Sequence, residues 1–375
     1  MVLLIGNYPP DEQQSMQRFS KMMLAGLMAA GVPAELIQPQ PVFGRIRLGG
    51  SFVRKWLAYL DKFFLFPRSL RARLQSAPAI VHICDHSNAM YAKHAGHIPV
   101  VVTCHDMLAV RGALGENTDT PASFTGKFLQ RWILSGLRRA SAVSCVSLAT
   151  SDDARRLVGH ESGQPKIDVI PLGLSYPYKR LERGEAMSRL AAISGFDTTL
   201  PFVLHVGSNL RRKNREVTLR VFARCKDEWN GQLVFVGDRL NESLTMQAET
   251  LGIAGRIVQL GSRANEQLEA LYNLSTALLF PSRFEGFGWP IIEAQACGCP
   301  VLCSSEPPMP EVAGRGALLR APDDEAGFAQ DLLRLTNENE HAHWSELALA
   351  NATRYTAAEM ISRYRDLYAS LAPVC

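Results

Sequence analysis

At 375 residues, 47% hydrophobic and 20% charged, the chain has the length of two ordinary domains and a globular make-up that excludes a low-complexity or disordered polymer. The formal net charge is +4, and it is unevenly placed: residues 45–73 hold eight Lys/Arg against one Asp, so this segment carries the whole excess. No apolar run reaches the length of a bilayer span, and eight cysteines without a framework spacing read as buried free thiols in a reducing cytoplasm.

The first residues, Met1 to Gly6, are apolar with no basic leader or cleavage site before them, and are expected to form a core strand. Short apolar runs then alternate with helical patterns, as in parallel α/β proteins. Runs at Val2–Ile5, Ala79–Ile83, Val100–Thr103, Ala142–Val146 and Asp168–Ile170 predict one doubly wound unit. A second series predicts another: Phe202–Val206, Leu233–Val236, Ile257–Leu260, Ala277–Phe280 and Val301–Cys303. The polar stretch 176–199 reads as a linker with a short helix. Residues Met360, Ile361, Tyr364, Leu367 and Leu371 place one apolar stripe on a final helix. The expected organisation is a first Rossmann-like domain at 1–175 and a second at 200–355. Helix 356–375 packs back on the first, and the two domains face across a cleft with ligands at the carboxyl ends of the strands.

Segment 45–73 interleaves its cations with Phe52, Trp56, Tyr59, Phe63, Phe64 and Phe66. Arg54, Lys55, Trp56, Lys62 and Arg68 suit a helix lying on an anionic membrane surface. The alternative is an ordinary helix whose core face is Trp56, Leu57, Leu60, Phe63 and Phe64. No recognised nucleic-acid motif is present, so nucleic acid is not an expected partner.

After the run Phe202–Val206 comes Gly207, then Arg211, Arg212, Lys213 and Asn214. A strand end followed by glycine and a basic cluster suits a diphosphate; the bland reading is a solvated basic turn. There is no phosphate-binding P-loop, and no Gly-x-Gly-x-x-Gly follows a strand, which disfavours ATP hydrolysis and a nicotinamide-dependent oxidoreductase. Further on, Glu285 and Glu293 stand eight positions apart, separated by Gly286, Phe287, Gly288, Trp289 and Pro290. Proline at a helix start after glycine leaves backbone N–H groups at a positive helix end, where an anion fits, while carboxylates fit sugar hydroxyls. The pairs His82/His86 and His94/His97 and the trio Cys297, Cys299 and Cys303 lack the companions or spacing of a metal site. No metal is expected.

In order along the chain, Gly207…Arg212-Lys213-Asn214, Glu266 to Tyr272, Phe280-Pro281-Ser282, Glu285-x7-Glu293, Ala294 to Val301 and Pro310-Glu311-Val312 resemble the family-4 retaining glycosyltransferases, of the bacterial surface-glycan type. Val100 to Asp106 and Ile170 to Gly173 resemble the same family more loosely. The resemblance implies the GT-B fold and retaining transfer of a hexose, of mannose or glucose type, from a GDP- or UDP-sugar to a glycan acceptor in polysaccharide or lipopolysaccharide biosynthesis; the basic aromatic segment 45–73 points to an acceptor that is lipid-linked. The resemblance implies no cofactor and no metal, since basic side chains do that work, while the charge and aromatics of segment 45–73 suggest a protein peripheral on the cytoplasmic face of the inner membrane.

By the same resemblance Arg212 and Lys213 grip the diphosphate and Glu293 the ribose. Glu285, with the backbone of Gly286, Phe287 and Gly288, holds the donor sugar, with His105 beside it. Gly207, Arg263 and Leu268 complete the donor side. One departure concerns the loop after the first strand, where relatives carry a Gly-Gly pair. This loop, from Asn7 to Arg18, has no glycine, and Ser15 or Gln14 is expected to donate a hydrogen bond instead. A non-catalytic sugar-nucleotide scaffold is the alternative reading.

Overall fold

The computed structural model describes residues 1–11, 13–46, 50–159 and 163–372, with the side chains of residues 51, 52 and 54 left out. The chain divides into two units, Met1–Ser175 with the terminal helix from Ala357, and Tyr176–Thr356.

The first unit is built on a parallel sheet of six strands: β1 (Val2–Ile5), β2 (Ala34–Ile37), β3 (Ile80–Ile83), β4 (Val100–Cys104), β5 (Ala142–Cys145) and β6 (Lys166–Val169), in the order β2-β1-β3-β4-β5-β6. The second unit has six more: β7 (Phe202–Gly207), β8 (Gln232–Gly237), β9 (Ile257–Gly261), β10 (Ala277–Phe280), β11 (Val301–Ser304) and β12 (Ala317–Arg320), in the order β12-β11-β10-β7-β8-β9. Central strands such as β1, β4, β5 and β10 are buried along their whole length, because helices cover both faces of a parallel sheet; hence their unbroken apolar runs. The direction of travel across the sheet reverses between β1 and β3 in the first unit and between β7 and β10 in the second. Ligands of doubly wound sheets bind at the carboxyl ends of such strands.

Sequence patterning misses two strands, β2 and β12. Both are edge strands: β2 is half-buried throughout, and β12 leaves Leu319 36% exposed, so neither shows a strong apolar run. The linker expected at 176–199 is instead part of the second unit. It carries the helix Arg183–Leu190, and Lys179 and Leu181 donate their backbone N–H groups to Glu269 (2.9 Å) and Asn273 (2.7 Å). The Arg189 guanidinium reaches the other Glu269 oxygen at 2.6 Å. These bonds tie the segment to the helix Asn265–Leu274, which composition does not reveal.

The final helix, Ala357–Leu371, lies in the first unit against the helix Gln14–Ala29. A Cβ on Gly26 would fall 2.5 Å from Ile361 Cγ1, so glycine sets this close approach. Met360, Ile361 and Leu367 are buried, worth about 1.5–3 kcal/mol each. The Tyr364 hydroxyl meets Thr103 (2.8 Å) and Ser144 (3.1 Å), and Tyr368 meets His82 (2.6 Å). The seven cysteines among the described residues are buried and unpaired. Among the described residues no helix is long and apolar enough to cross a membrane.

Candidate functional site

In the second unit, the loops that leave β7 and β10 are fastened together before any ligand is considered. Lys213 closes a single turn, Arg211–Lys213, and Asn214 follows in the left-handed region at φ 55° and ψ 40°, a conformation asparagine tolerates better than most residues. Its side-chain amide donates to Pro281 O (3.0 Å) and Pro322 O (2.8 Å), and the Arg283 N–H donates to Arg212 O (2.8 Å). Below them the buried Arg215 guanidinium donates to Gly207 O (2.5 Å), Asp238 O (2.8 Å) and Asn209 Oδ1 (2.6 Å), which holds the β7 end rigid.

These supports bring Arg212, Lys213 and Glu285 together. Lys213 Nζ lies 2.6 Å from Glu285 Oε1, and Arg212 Nη1 lies 2.7 Å from Glu285 Oε2 and 3.0 Å from Phe284 O. The ammonium also stands 5.0 Å from the Phe280 ring centroid. Lys213 and Glu285 are buried, while the Arg212 side chain keeps 23% of its surface exposed. Burial pulls the Lys213 ammonium below its usual pKa, opposed by Glu285 and reinforced by Arg212. Burial acts to raise the Glu285 carboxyl, but the two cations outweigh it and hold the group below the usual carboxylate range. Two cations share one carboxylate. The cluster keeps a surplus positive charge in a partly desolvated place, and that is a site for an anion.

Among the described residues, polar side-chain atoms without a hydrogen-bond partner here include Ser282 Oγ, two residues past the end of β10, and His205 Nε2 on β7. His205 holds Leu279 O through Nδ1 (3.1 Å), and burial, with the charges of Arg215 and Lys213, keeps its ring neutral well below the usual pKa. Sequence reasoning assigned neither residue a role. Ser282 lay inside the Phe280-Pro281-Ser282 motif, whereas His205 is an internal strand residue that no spacing marks.

The other expected residues fall in different settings. Gly288 takes φ +98° and precedes the helix Trp289–Ala296, which has proline in its first turn and no side-chain cap. Phe287 is buried edge-on against Tyr355 at 5.7 Å. Glu293 is buried on that helix and accepts from the Tyr272 hydroxyl at 3.0 Å. Arg263 folds back to donate from Nε to Leu260 O (2.5 Å) at the end of edge strand β9, and Leu268 is buried in the helix Asn265–Leu274. Among the described residues no group of three or more His, Cys, Asp or Glu is gathered as a metal site.

His105 and Ser15 belong to the first unit. His105 follows β4, buried, with Nε2 donating to Cys84 O (2.9 Å) and its ring edge-on to Phe19 at 4.9 Å. Burial lowers its pKa, so the ring is neutral and Nδ1 remains an acceptor. Ser15 is exposed near the start of the helix Gln14–Ala29. The glycine-free loop after β1 is filled instead by Tyr8, which donates to Asp61 at 2.8 Å, and by Asn7, whose amide meets Asp85 at 2.5 Å.

On segment 45–73 the core-face reading is corrected in part. The helix Ser51–Leu60 runs through a π-turn, Asp61–Leu65, into the helix Phe66–Leu74. Trp56, Leu60 and Phe64 are 50%, 45% and 54% exposed, so they are surface residues; Leu57 and Phe63 are half-buried. Lys55 lies 5.8 Å from the Tyr59 ring centroid, and Arg68 stacks 3.7 Å over Phe64. Lys62 is not a free surface cation: Asp11 pairs with it at 2.7 Å and its side chain is only 16% exposed. The Arg54 side chain lies outside the described residues.

A family profile described as Glycosyltransferase Family 4 matches residues 17–175, and one described as Glycosyl transferases group 1 matches residues 187–348. The O-antigen chain mannosyltransferase B of Escherichia coli is 28% identical over 224 residues, 54% of this chain and 57% of its own length. The D-inositol 3-phosphate glycosyltransferase of Rhodococcus jostii (strain RHA1) is 29% identical over 245 residues, 62% of this chain and 50% of its own. The match thus spans little more than half the length of these curated relatives. In fold, the chain is similar over 98% of its length to 99% of the Anabaena protein HepE solved with UDP and glucose, at a TM-score of 0.73 and 18% identity. It is equally similar to WaaG, described as a glycosyltransferase involved in lipopolysaccharide biosynthesis: TM-score 0.74, 16% identity, 98% of this chain and 99% of that one. At such identities the likeness is one of fold alone. With the two profiles matched in succession over two doubly wound sheets, the chain belongs to glycosyltransferase family 4 and has the GT-B fold.

Proposed function

We propose that the protein transfers a hexose, of mannose or glucose type, from a GDP- or UDP-sugar to a glycan acceptor, with retention of anomeric configuration and without a metal. The observation that carries this reading is the sharing of Glu285 by Arg212 and Lys213, where two strands diverge. A departing nucleoside diphosphate develops negative charge, and preorganised cations in a desolvated site stabilise it at no reorganisation cost. Glu285 is tied through both oxygens, which suits orientation of the donor and not nucleophilic attack. Retention then follows from attack on the face that the diphosphate leaves. Glu293 accepts from the ribose hydroxyls, and the free Nδ1 of His105 accepts from a sugar hydroxyl.

The acceptor is a lipid-linked glycan of bacterial surface-polysaccharide or lipopolysaccharide synthesis, handled at the cytoplasmic face of the inner membrane. The names of the relatives, an O-antigen chain mannosyltransferase and WaaG, support that setting. So does the exposed aromatic and basic surface around Trp56. The test is a panel of UDP, GDP and their hexose conjugates read by thermal shift, followed by nucleotide release with and without glycan acceptor. Stabilisation by one nucleotide series together with acceptor-dependent release supports transfer. Stabilisation with no release identifies a scaffold, and no response to any of them overturns the reading.

A further inference from the structure

The first unit holds a polar cavity. It measures about 270 Å³ and lies between the turn and helix 61–74, the 3-10 turns His86–His94 and the helix Phe124–Leu137. Arg68, Arg71, Lys93 and His94 line its polar side, and Trp132 and Tyr91 its floor. Among the described residues, none of Arg68, Arg71 and Lys93 has a carboxylate partner. Arg68 donates to Phe64 O (2.7 Å) and stacks on the Phe64 ring, and Lys93 stands 4.8 Å from the Trp132 centroid. This contrasts with their neighbours Lys62 and Arg73, which pair with Asp11 and Glu35. Burial first, and then the charges of Arg71 and Lys93, lower the pKa of His94, and no acid lines the cavity.

Phe63 and Phe64 are shared with a second, apolar cavity of about 460 Å³, lined also by Val53, Trp56, Leu57, Tyr59 and Leu60. The exposed rings of Trp56 and Phe64 open that groove to solvent. A cationic hollow that runs into an apolar groove has the polarity of an amphiphile with an anionic head.

We propose that Arg68, Arg71 and Lys93 bind the phosphate headgroup of an anionic lipid, whose hydrocarbon chain lies along Trp56, Leu60 and Phe64. The guanidinium forks of Arg68 and Arg71 suit phosphate oxygens, and the stacked rings hold the cations in place without neutralising them. The lipid is a specific ligand of this unit and not merely part of a charged surface. The choice of a lipid as occupant rests on the proposed transfer at a membrane, but the site itself is separate from Arg212, Lys213 and Glu285.

The experiment uses the full chain and vesicles of phosphatidylcholine, with or without phosphatidic acid, in a sedimentation assay. Wild type sediments with phosphatidic acid vesicles and not with phosphatidylcholine alone. The double variant Arg71→Gln/Lys93→Gln binds them about thirtyfold more weakly, from about 1 kcal/mol lost per cation. The variant Trp56→Ser/Leu60→Ser also loses vesicles, yet inorganic phosphate still shifts its His94 ring resonance. Unchanged binding by Arg71→Gln/Lys93→Gln overturns the site. Binding of inorganic phosphate by wild type without vesicle binding overturns the lipid and leaves a free phosphate ester as ligand. Nucleotide-induced thermal shifts, run on the same samples, report on the transfer reading separately: losing one result leaves the other standing.

Discussion

The Lys213 ammonium and the Glu285 carboxylate, 72 residues apart in sequence, meet at 2.6 Å with both groups buried. Their meeting is a consequence of topology: β7 and β10 are neighbours in the sheet, so the loops that leave them stand side by side. Because Arg212 holds the other carboxylate oxygen, each cation remains incompletely neutralised, and the same contacts that shape the site prepare it for a diphosphate.

Lys213→Met keeps the length of the side chain and removes its charge. Transfer is expected to fall on the order of 10²–10³-fold, the usual loss for one preorganised donor to a developing anion. Glu285 retains Arg212, so far-ultraviolet circular dichroism should match wild type. Full turnover in this variant would remove Lys213 from the chemistry.

Glu285→Gln leaves the buried Lys213 and the half-buried Arg212 without their counter-ion. The apo protein should lose about 3–5 kcal/mol of stability, the cost of breaking a buried ion pair from one side. A bound nucleoside diphosphate supplies the missing negative charge, so its thermal shift should exceed that of wild type. A smaller shift, in a variant of lowered apo stability, would mean that the diphosphate does not reach the two cations.

Asn214 tests the scaffold. Asn214→Gly keeps the left-handed backbone but loses the bridge to Pro281 and Pro322, a cost of about 1–3 kcal/mol for two hydrogen bonds. Asn214→Ala adds about 1 kcal/mol more for a Cβ at φ 55°. Chemical denaturation should therefore rank wild type above glycine and glycine above alanine, and kcat should follow that order as the loop carrying Lys213 loosens.

Much of this was readable from the chain, and the failures have physical causes. Fully buried parallel strands announce themselves as apolar runs, and the half-buried edges β6 and β9 were found as well; only the edges β2 and β12 were missed. Spacing along the chain proposed Arg212, Lys213 and Glu285, but only sheet order shows that one carboxylate serves both cations. Lys62 was misjudged because its partner Asp11 is 51 residues away, and segment 176–199 because its partners Glu269 and Asn273 are remote. Trp56 and Leu60 show the converse: an apolar helical stripe can face solvent, and no pattern distinguishes that from a core face.

Acid sensitivity is expected from His82, whose ring lies between Tyr368 (2.6 Å) and Thr103 (2.7 Å). Burial, with a smaller contribution from His105, lowers its pKa to about 3. A depressed folded pKa means that the unfolded chain takes up the proton first. Stability is full above the unfolded value of about 6.5 and is lost below it, by up to about 1.4 kcal/mol per pH unit, until the folded pKa is reached. His86, raised by Asp85 against its burial, contributes with the opposite sign, so the comparison must be made by substitution. His82→Gln should flatten the urea midpoint against pH below about 6.5 by one proton's worth; an unaltered slope would show that His82 does not titrate on unfolding.

The most direct test of the central claim is the affinity gap between a nucleoside diphosphate and its nucleoside, UDP against uridine and GDP against guanosine, measured calorimetrically in wild type and in Arg212→Ala/Lys213→Ala. If the two cations hold the diphosphate, wild type prefers the diphosphate by at least tenfold to a hundredfold, about 1.5–3 kcal/mol per charged hydrogen bond, and the double variant loses that preference while still binding the nucleoside. A double variant that keeps the full preference would contradict the account.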